Sequence, residues 1–218
     1  MKFSIILPTW NNLGYLKVCL DSIKKNSKYE HDINVHVNDG SDGTVEYLSS
    51  NGIKFNHSVE NMGLCKGANS AATLAETDYI IYTHDDMYFL PDWDFFLNEE
   101  IKKLKTNLYY ISGTMMGPKG CGFLEFNCGT TFNDFDEAKL LKNFHNFNYF
   151  DHQGTHWAPH LIHKTIWDMV GGFSKEFDPG YASDTDLNMK LWKEGVRIFK
   201  GINNFKVYHF GSISTRKK

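Results

Sequence analysis

Two adjacent carboxylates, Asp85 and Asp86, follow the apolar run DYIIY at residues 78–82, with only Thr83 and His84 between. Like charges that lie side by side repel each other, and the repulsion grows as water is removed. Water at an ordinary surface turn could offset this repulsion, and so could a bound cation. The stretch therefore raises the hypothesis of a cation site, with a solvated turn as the alternative.

Two more polar clusters stand directly after apolar runs. Pro8 and Thr9 end the run at residues 3–7, and the NDGSDG segment at 38–43 follows an alternating pattern that is typical of a strand. In sheets of parallel strands, ligands bind beyond the carboxyl ends of the strands. If the three runs are parallel strands, the three polar clusters converge on one crevice.

The elements that must position these clusters alternate between strands and helices over the first half of the chain. Apolar residues recur at helical spacing after the first run, and an alanine-rich helical segment precedes DYIIY. This alternation indicates βαβ units, and it predicts an α/β fold with a mainly parallel sheet. Strands are predicted at 3–8, 32–39, 53–58 and 78–83, and helices at 14–27, 44–50 and 64–77.

The second half of the chain has a less regular pattern. Helices are predicted at 92–106, 134–147, 164–173 and 183–195, strands at 108–116, 196–201 and 205–211, and an extended segment at 155–163. Residues 117–133 show no clear period. Because no linker or internal repeat is visible, we expect one domain over 1–218, with halves at about 1–106 and 107–218. A longer natural chain is left open.

Bulk composition argues against several classes of protein. The chain has 218 residues, a net charge of −3 and no basic stripe, so no nucleic-acid partner is expected. No apolar stretch approaches the roughly 18–20 residues that span a bilayer, and the N-terminal run is too short for a signal peptide. The basic residues at 216–218 are interpreted as a solvated end or as the point where a longer chain continues.

The cysteines are not spaced as a zinc site, because none forms a C-x-x-C pair. Reduced thiols are therefore expected, and these predict a cytoplasmic protein, with peripheral contact to a membrane surface left open. The four cysteines are Cys19, Cys65, Cys121 and Cys128.

Six segments, in order along the chain, resemble motifs of the family-2 glycosyltransferases, which have the GT-A fold. Three positions depart from the usual pattern: Asn38 and Ser183 stand where acidic residues are common, and Met87 replaces the last aspartate of a DxD motif. The segments are SIILPTWNN, VHVNDGSDGT, NMGLCKGANSAA, YTHDDMYFLPDW, MVGGFSKEF and SDTDLNMKLWKEG.

The resemblance implies a nucleotide-sugar site in the first half of the chain. Asp86 is expected to ligate Mn²⁺ or Mg²⁺, with His209 as a second ligand or else simply packed in a strand. Asp39 is expected to accept a hydrogen bond from uracil or thymine, which favours UDP- or TDP-sugars, and an Asx turn is a compatible local role. The residues expected to bind the donor are Pro8, Thr9, Asn11, Asp39, Gly63, Lys66 and Asp85, with Lys66 near the diphosphate at a helix N-terminus.

The resemblance also implies that Asp184 is the catalytic base, which removes the proton of the acceptor hydroxyl in an inverting displacement. Local structure offers another explanation, because Ser183 as N-cap with Asp186 three residues later resembles a capping box. Trp157 and Asp186 are assigned, more weakly, to the acceptor side.

The resulting hypothesis is an inverting, metal-dependent glycosyltransferase with a Rossmann-like donor half and a mixed acceptor half. Its partners are a nucleoside diphosphate sugar and a glycan, glycolipid or glycoprotein acceptor. A non-catalytic module that binds nucleotide sugars is the first alternative. A sugar nucleotidyltransferase is less favoured, because the segment PTWNNLGYLK lacks the Gly-rich basic loop that this class needs after its first strand.

Overall fold

The structure is a computed structural model that describes residues 1–119 and 122–211. Cys121 and the basic tail at 216–218 lie outside the described residues. The first half contains β1 (Ser4–Trp10), α1 (Leu13–Asn26), β2 (Asp32–Asn38), α2 (Thr44–Ser50), β3 (Lys54–Ser58), α3 (Leu64–Ala72), β4 (Tyr79–Tyr82), β5 (Met87–Phe89) and α4 (Trp93–Lys103). The second half contains β6 (Tyr109–Gly117), β7 (Leu124–Glu125), α5 (Glu137–Asn143), β8 (His152–Gln153), β9 (His160–His163), α6 (Lys164–Val170), α7 (Ser183–Lys193) and β10 (Ile198–His209).

One sheet of ten strands organises both halves of the chain. Its main order is β3-β2-β1-β4-β9-β6-β10-β5, with β7 on β6 and β8 on β10. The pairs β3–β2, β2–β1 and β1–β4 are parallel, whereas β9 runs antiparallel to both β4 and β6. The predicted α/β fold, parallel in the first half and mixed in the second, is therefore confirmed.

The first half folds as the apolar pattern dictates. Ile5, Ile6 and Leu7 in β1 are fully buried, as expected for a parallel strand that is covered on both faces. Leu16 and Leu20 of α1 lie on the buried face of the helix, at the spacing seen in the sequence. The parallel pairing places the carboxyl ends of β1, β2 and β4 at one edge of the sheet.

Several predicted boundaries were wrong. Helix α3 ends at Ala72 rather than at residue 77, because the next N–H groups bond three residues back in a tightening turn. The helix predicted at 134–147 is limited to α5, where Asp136 accepts the N–H of Lys139. The strands predicted at 196–201 and 205–211 form the single strand β10, which has an irregularity between Gly201 and Lys206.

The short strand β5 was not predicted. It pairs antiparallel with the end of β10, so that Met87 lies opposite His209. A three-residue strand has too little sequence to show a period, and its partner is over a hundred residues away. This pairing brings the end of the chain to the segment that carries Asp85 and Asp86.

The structure bears on the thiols and on the length of the helices. Cys19, Cys65 and Cys128 are buried free thiols. Within residues 1–119 and 122–211, none of the helices combines the length and the apolar character needed to cross a bilayer.

A buried carboxylate joins α4 to the loop between α1 and β2. Asp94 accepts the N–H groups of Lys28 and Tyr29 at 2.9 Å, and its Oδ2 lies 3.0 Å from Nε2 of His31. Nδ1 of that ring accepts the N–H of Phe3, so Nε2 carries the hydrogen that points to Asp94. Burial alone would raise the pKa of Asp94, but these hydrogen bonds lower it below the ordinary value.

We predict that Asp94→Asn lowers the free energy of unfolding by about 1.5–3 kcal/mol at pH 7, because it removes a fully buried carboxylate that accepts hydrogen bonds from two backbone N–H groups and an imidazole. Urea denaturation measures this loss. Because the folded-state pKa of Asp94 is lowered, its contribution is complete above the unfolded value of about 3.9 and is lost as the pH falls through the folded value. The difference in unfolding free energy between wild type and Asp94→Asn should therefore become smaller in acid.

Asp92→Asn is the matched control, because Asp92 precedes the same helix and forms an exposed pair with Lys28 at 2.9 Å. Exposed pairs contribute about 0–1 kcal/mol. Equal losses of unfolding free energy in Asp94→Asn and Asp92→Asn would show that the buried contact between Asp94 and His31 does not anchor α4.

Candidate functional site

Asp85 is held by the end of β1 and the start of α1. Thr9 donates its hydroxyl to Oδ2 of Asp85 at 2.7 Å, and Asn12 donates its side-chain amide to Oδ1 at 3.1 Å. All three side chains are buried. Hydrogen bonds from two neutral donors stabilise the charged carboxylate and fix its direction. Thr9 at the end of β1 therefore meets Asp85, as the strand-end argument predicts.

Asp86 faces the other way, toward β10. Its Oδ1 lies 3.4 Å from Nε2 of His209, and its backbone carbonyl accepts the N–H of Phe210 at 3.1 Å. The two aspartates lie in the turn between β4 and β5, and their side chains face different neighbours. The two aspartates are therefore separated in environment although they are adjacent in sequence.

Three potential metal ligands meet at this point. One ligand atom each from His84, Asp86 and His209 can be chosen so that all lie within 4.8 Å of one another. Burial lowers the pKa of His84 to about 4, so its ring is neutral and can offer a lone pair near neutral pH. Two imidazoles and one carboxylate suit a divalent transition metal and leave coordination positions for oxygen ligands.

His84 was missed in the sequence, although it stands two residues before Asp86. The available signal was the His-x-Asp spacing, which gains meaning only when His209 is known to lie nearby. Met87, by contrast, is buried, and its sulfur accepts the hydroxyl of Thr83 at 3.4 Å. The third position of the DxD pattern thus serves the core of this chain.

The polar segment after β2 is tied to the segment after β1. Asn11 donates to Oδ2 of Asp39 at 2.8 Å and accepts the N–H of Gly40 at 3.0 Å. Oδ1 of Asp39 accepts the N–H of Ser41 at 3.1 Å, which confirms the Asx turn. Hydrogen bonds from Ser41 and Asn11 lower the pKa of Asp39. The three polar clusters therefore lie along one edge of the sheet.

Asn38 replaces an acidic residue of the family motif and has a structural role. Its Oδ1 accepts the N–H of Met62 at 2.9 Å and the hydroxyl of Ser58 at 3.3 Å. The side chain thereby fixes the loop that leads into α3. The substitution places a neutral acceptor, instead of a charge, at the buried end of β2.

The N-terminus of α3 is occupied by a carboxylate from the second half of the chain. Oδ1 of Asp178 accepts the N–H of Cys65 at 2.7 Å. Gly63 precedes the helix with a φ of 97°, and an added Cβ would overlap the Asp178 side chain. Lys66 is exposed on the first turn. The first turn of α3 therefore carries one carboxylate and one solvent-facing cation.

Asp184 lies in the first turn of α7, but the predicted capping box is wrong. The helix begins at Ser183, after Ala182 in a left-handed conformation, and no side chain caps it. Ser183 donates its hydroxyl to the carbonyl of Gly180 at 2.7 Å, and Asp186 accepts the hydroxyl of Ser174 at 2.6 Å. Both residues of the expected box are thus engaged elsewhere.

Asp184 is partly buried beside three titratable side chains. Its charge acts on Cys65 of α3, Tyr82 of β4 and Tyr110 of β6. Burial raises the pKa of Asp184 to about 7. A carboxylate that titrates near neutral pH accepts a proton more readily than an exposed aspartate, which is a property of general bases.

Trp157 lies in an aromatic cluster next to the amino end of β9. Its indole N–H donates to the carbonyl of Gly113 at 3.0 Å, and its ring contacts Phe123 at a centroid distance of 4.3 Å and His152 at 5.3 Å. The ring is partly exposed. Trp157 is thus anchored at its polar end and keeps part of its ring at the surface.

Comparison with known proteins identifies relatives of this chain. The family model described as glycosyl transferase family 2 matches residues 4–164. The chain is 26% identical over 227 residues to a hyaluronan synthase of Pasteurella multocida, and 26% identical over 210 residues to a chondroitin synthase of strain Pm70 of that species. These matches cover 98% and 92% of the chain but only 21% and 20% of the synthases, so the chain spans about a fifth of their length.

Solved structures of S. aureus TarS share the fold. The TarS fragment 1–349 superposes with a TM-score of 0.72 at 17% identity, over 96% of this chain and 60% of that one. The same fragment has been solved in complex with UDP and in complex with UDP-GlcNAc, with TM-scores of 0.69 and 0.70.

We predict that Mn²⁺ binds at His84, Asp86 and His209. Asp86→Ala and His209→Ala should abolish binding, and His84→Ala should weaken it at least about tenfold, a change of about 1.4 kcal/mol. Titration followed by the electron paramagnetic resonance of free Mn²⁺ measures this directly. His145→Ala, at an exposed imidazole, should bind as wild type does. Unchanged Mn²⁺ affinity in His84→Ala would remove His84 from the site.

Proposed function

This chain belongs to glycosyl transferase family 2, and on that premise we propose that it transfers a sugar from a UDP-sugar to a hydroxyl group of a glycan acceptor, with inversion at the anomeric carbon. The observation that carries the proposal is the convergence of Asp85, Asp86 and His209 at the carboxyl edge of the sheet. Buried carboxylates with distinct neighbours at such an edge suit a charged ligand with its cation.

The donor is proposed to bind along the edge formed by β1, β2 and β4. Asp39 is proposed to accept the N3–H of uracil, since a carboxylate has lone pairs beyond those used by Asn11 and Ser41. Asp85 is assigned to the ribose, and Pro8 and Thr9 to the nucleoside. The complexes of TarS with UDP and UDP-GlcNAc favour a uridine donor over thymidine. Since the carboxylate of Asp178 already occupies the helix N-terminus next to Gly63, contact with the diphosphate is assigned to Lys66, which is exposed on the first turn of α3.

His84, Asp86 and His209 would hold the divalent cation, and their nitrogen-rich set favours Mn²⁺ over Mg²⁺. When bound, such an ion stabilises as a Lewis acid the negative charge that develops on the leaving diphosphate. The protein contributes rigidity: the pairing of β5 with β10 holds the segment carrying Asp86 against the strand carrying His209.

Asp184 is proposed as the base that accepts the proton of the acceptor hydroxyl. It is partly buried, burial raises its pKa to about 7, and its charge acts on Tyr82 of β4 and Tyr110 of β6. Trp157 and the neighbouring aromatic rings offer faces on which a sugar ring can stack. Asp186 contributes indirectly through Ser174.

The acceptor is proposed to be a growing polysaccharide, because the two matched synthases are named for polysaccharide products. The free thiols Cys19, Cys65 and Cys128 fit a reducing compartment such as the cytoplasm. A module that binds nucleotide sugars without catalysis is the competing function. It would keep the donor edge and have no use for a raised pKa at Asp184.

We predict that UDP and UDP-GlcNAc raise the thermal stability of the protein only when Mn²⁺ is present, and that TDP and GDP do so less. A ligand at about 100 times its Kd adds about 2.7 kcal/mol to the folded state. Thermal-shift measurements on wild type and Asp86→Ala test this, and the variant should lose the response. Stabilisation by UDP that is equal with and without the ion would contradict the assigned cation site.

Asp184→Asn should abolish transfer while the affinity for UDP stays within about twofold of wild type. Because burial disfavours the charged form of Asp184, the neutral asparagine should leave the unfolding temperature unchanged or higher at pH 7.5. In wild type, kcat should fall as the pH drops through about 7, since the base must be ionised. Transfer of GlcNAc from UDP-GlcNAc to hyaluronan and chondroitin oligosaccharides provides the assay.

Asp186→Asn serves as the control on the same helix. It keeps an acceptor for Ser174 and should retain most of the activity. A wild-type protein that binds UDP with Mn²⁺ but transfers nothing, to these acceptors or to water, would favour the non-catalytic module.

A further inference from the structure

The segment at residues 172–178 ties the donor half of the molecule to the helix that carries Asp184. On the donor side, Asn69 of α3 donates to the carbonyl of Phe173 at 2.7 Å and accepts its N–H at 2.9 Å. Five residues further on, Asp178 accepts the N–H of Cys65 at 2.7 Å. The segment is therefore fixed to α3 at two points, one near each end.

The same segment is fixed to α7 on its other side. Lys190 donates to the carbonyl of Gly172 at 2.5 Å and to the hydroxyl of Ser174 at 3.2 Å. Ser174 in turn donates to Asp186. These contacts hold α7 at Asp186 in its first turn and at Lys190 in its last turn. Neither Asp184 itself nor the turn that precedes the helix takes part in them.

The first turn of α7 is reached through a strained stretch of backbone that begins at Asp178. Gly180 donates its N–H to Phe177 at 2.7 Å, and Ala182 then adopts a left-handed conformation with a φ of 61°. A left-handed alanine costs about 1–2 kcal/mol and persists only where the surroundings enforce it. Asp178 is the side chain of this stretch that is bonded to the backbone of α3.

Asp178 suits its position electrostatically as well as sterically. A carboxylate is favoured at a helix N-terminus, where N–H groups have no partner within the helix. Gly63, which has no Cβ, gives the carboxylate room to approach. Removal of the carboxylate would leave the N–H of Cys65 without this acceptor and would free the turn at 179–183.

We propose that Asp178 is a positioning residue for the reaction: by accepting the N–H of Cys65, it locks the turn at 179–183 against the donor-side helix and holds Asp184 in its sheltered position. The inference rests on the proposed role of Asp184 as the base. Asp178 is assigned no contact with either substrate. Its effect reaches the reaction only through the placement of the base.

The environment of Asp184 explains how this effect can be measured. The titratable groups that face it are Cys65, Tyr82 and Tyr110, from three different elements. Burial raises the pKa of each of these groups, so none carries a charge near neutral pH. The pKa of Asp184 is itself raised by burial. If the turn at 179–183 loosened and admitted water, the pKa of Asp184 would fall.

The test compares Asp178→Ala, Asp178→Glu and Asp178→Asn with Asn61→Ala. Alanine removes the acceptor, and glutamate keeps the charge but is too long for the space beside Gly63. Asparagine keeps an acceptor oxygen for the N–H of Cys65 and should preserve the wild-type pKa of Asp184. Asn61 accepts the N–H of Gly63 at 3.0 Å, so its removal weakens the same helix end without touching the turn.

The first readout is the carboxyl ¹³C titration of Asp184, identified by its absence in Asp184→Asn. We expect its pKa to fall by about one unit or more in the alanine and glutamate variants, a tenfold change in the ionisation constant. The asparagine variant and Asn61→Ala should titrate as wild type does. This readout needs no substrate, so it decides the inference even if the protein transfers no sugar.

The second readout is steady-state transfer from UDP-GlcNAc to hyaluronan oligosaccharides. A misplaced base should lower kcat between about tenfold and a hundredfold and leave the donor KM within about twofold. The inference is overturned if Asp184 titrates unchanged in both Asp178→Ala and Asp178→Glu. It is also overturned if Asn61→Ala reproduces their effects, since Asp178 would then act only through the stability of α3.

Discussion

The structure depends on how adjacent carboxylates are accommodated at the buried edge of a sheet. Asp85 and Asp86 are both nearly inaccessible to water, so neither can rely on solvent to offset the charge of the other. The turn between β4 and β5 separates them by directing each side chain to a different neighbour. Asp85 receives neutral donors from β1 and α1, whereas Asp86 faces imidazoles. Each carboxylate thus has its own form of compensation, and only the imidazole side suits a metal.

That compensation requires the end of the described chain to return to its first half. β10 pairs parallel with β6 along most of its length and antiparallel with β5 at its end. The same strand therefore completes the sheet and delivers His209 to Asp86. A long strand shared by both halves makes relative movement costly, because hydrogen bonds of the sheet would have to break. The proposed metal site is consequently a product of the whole fold rather than of one loop.

The sequence predicted well those features that depend on local periodicity. The parallel strands β1, β2 and β4 carry long apolar runs or regular alternation, and their order along the chain requires crossover helices. What it could not provide were contacts between distant residues. His84 acquires its significance from His209, and Asp178 from Cys65, across separations of 125 and 113 residues. The capping box failed for a more local reason: Ser183 donates to Gly180 and Asp186 accepts from Ser174, so neither side chain caps the helix.

The environments on the two sides of the site shift the pKa values of their carboxylates in opposite directions. On the proposed donor side, hydrogen bonds stabilise the charged form of a carboxylate, as the lowered pKa of Asp39 illustrates. On the proposed acceptor side, burial destabilises the charge of Asp184, which raises its pKa and its affinity for a proton. A charged carboxylate in buried surroundings would be more stable if its segment moved toward water. A neighbouring element must therefore hold that segment in place. The turn before α7 is strained at Ala182 and tied at Asp178, which is the arrangement expected if stability is given up to keep the proposed base, Asp184, reactive.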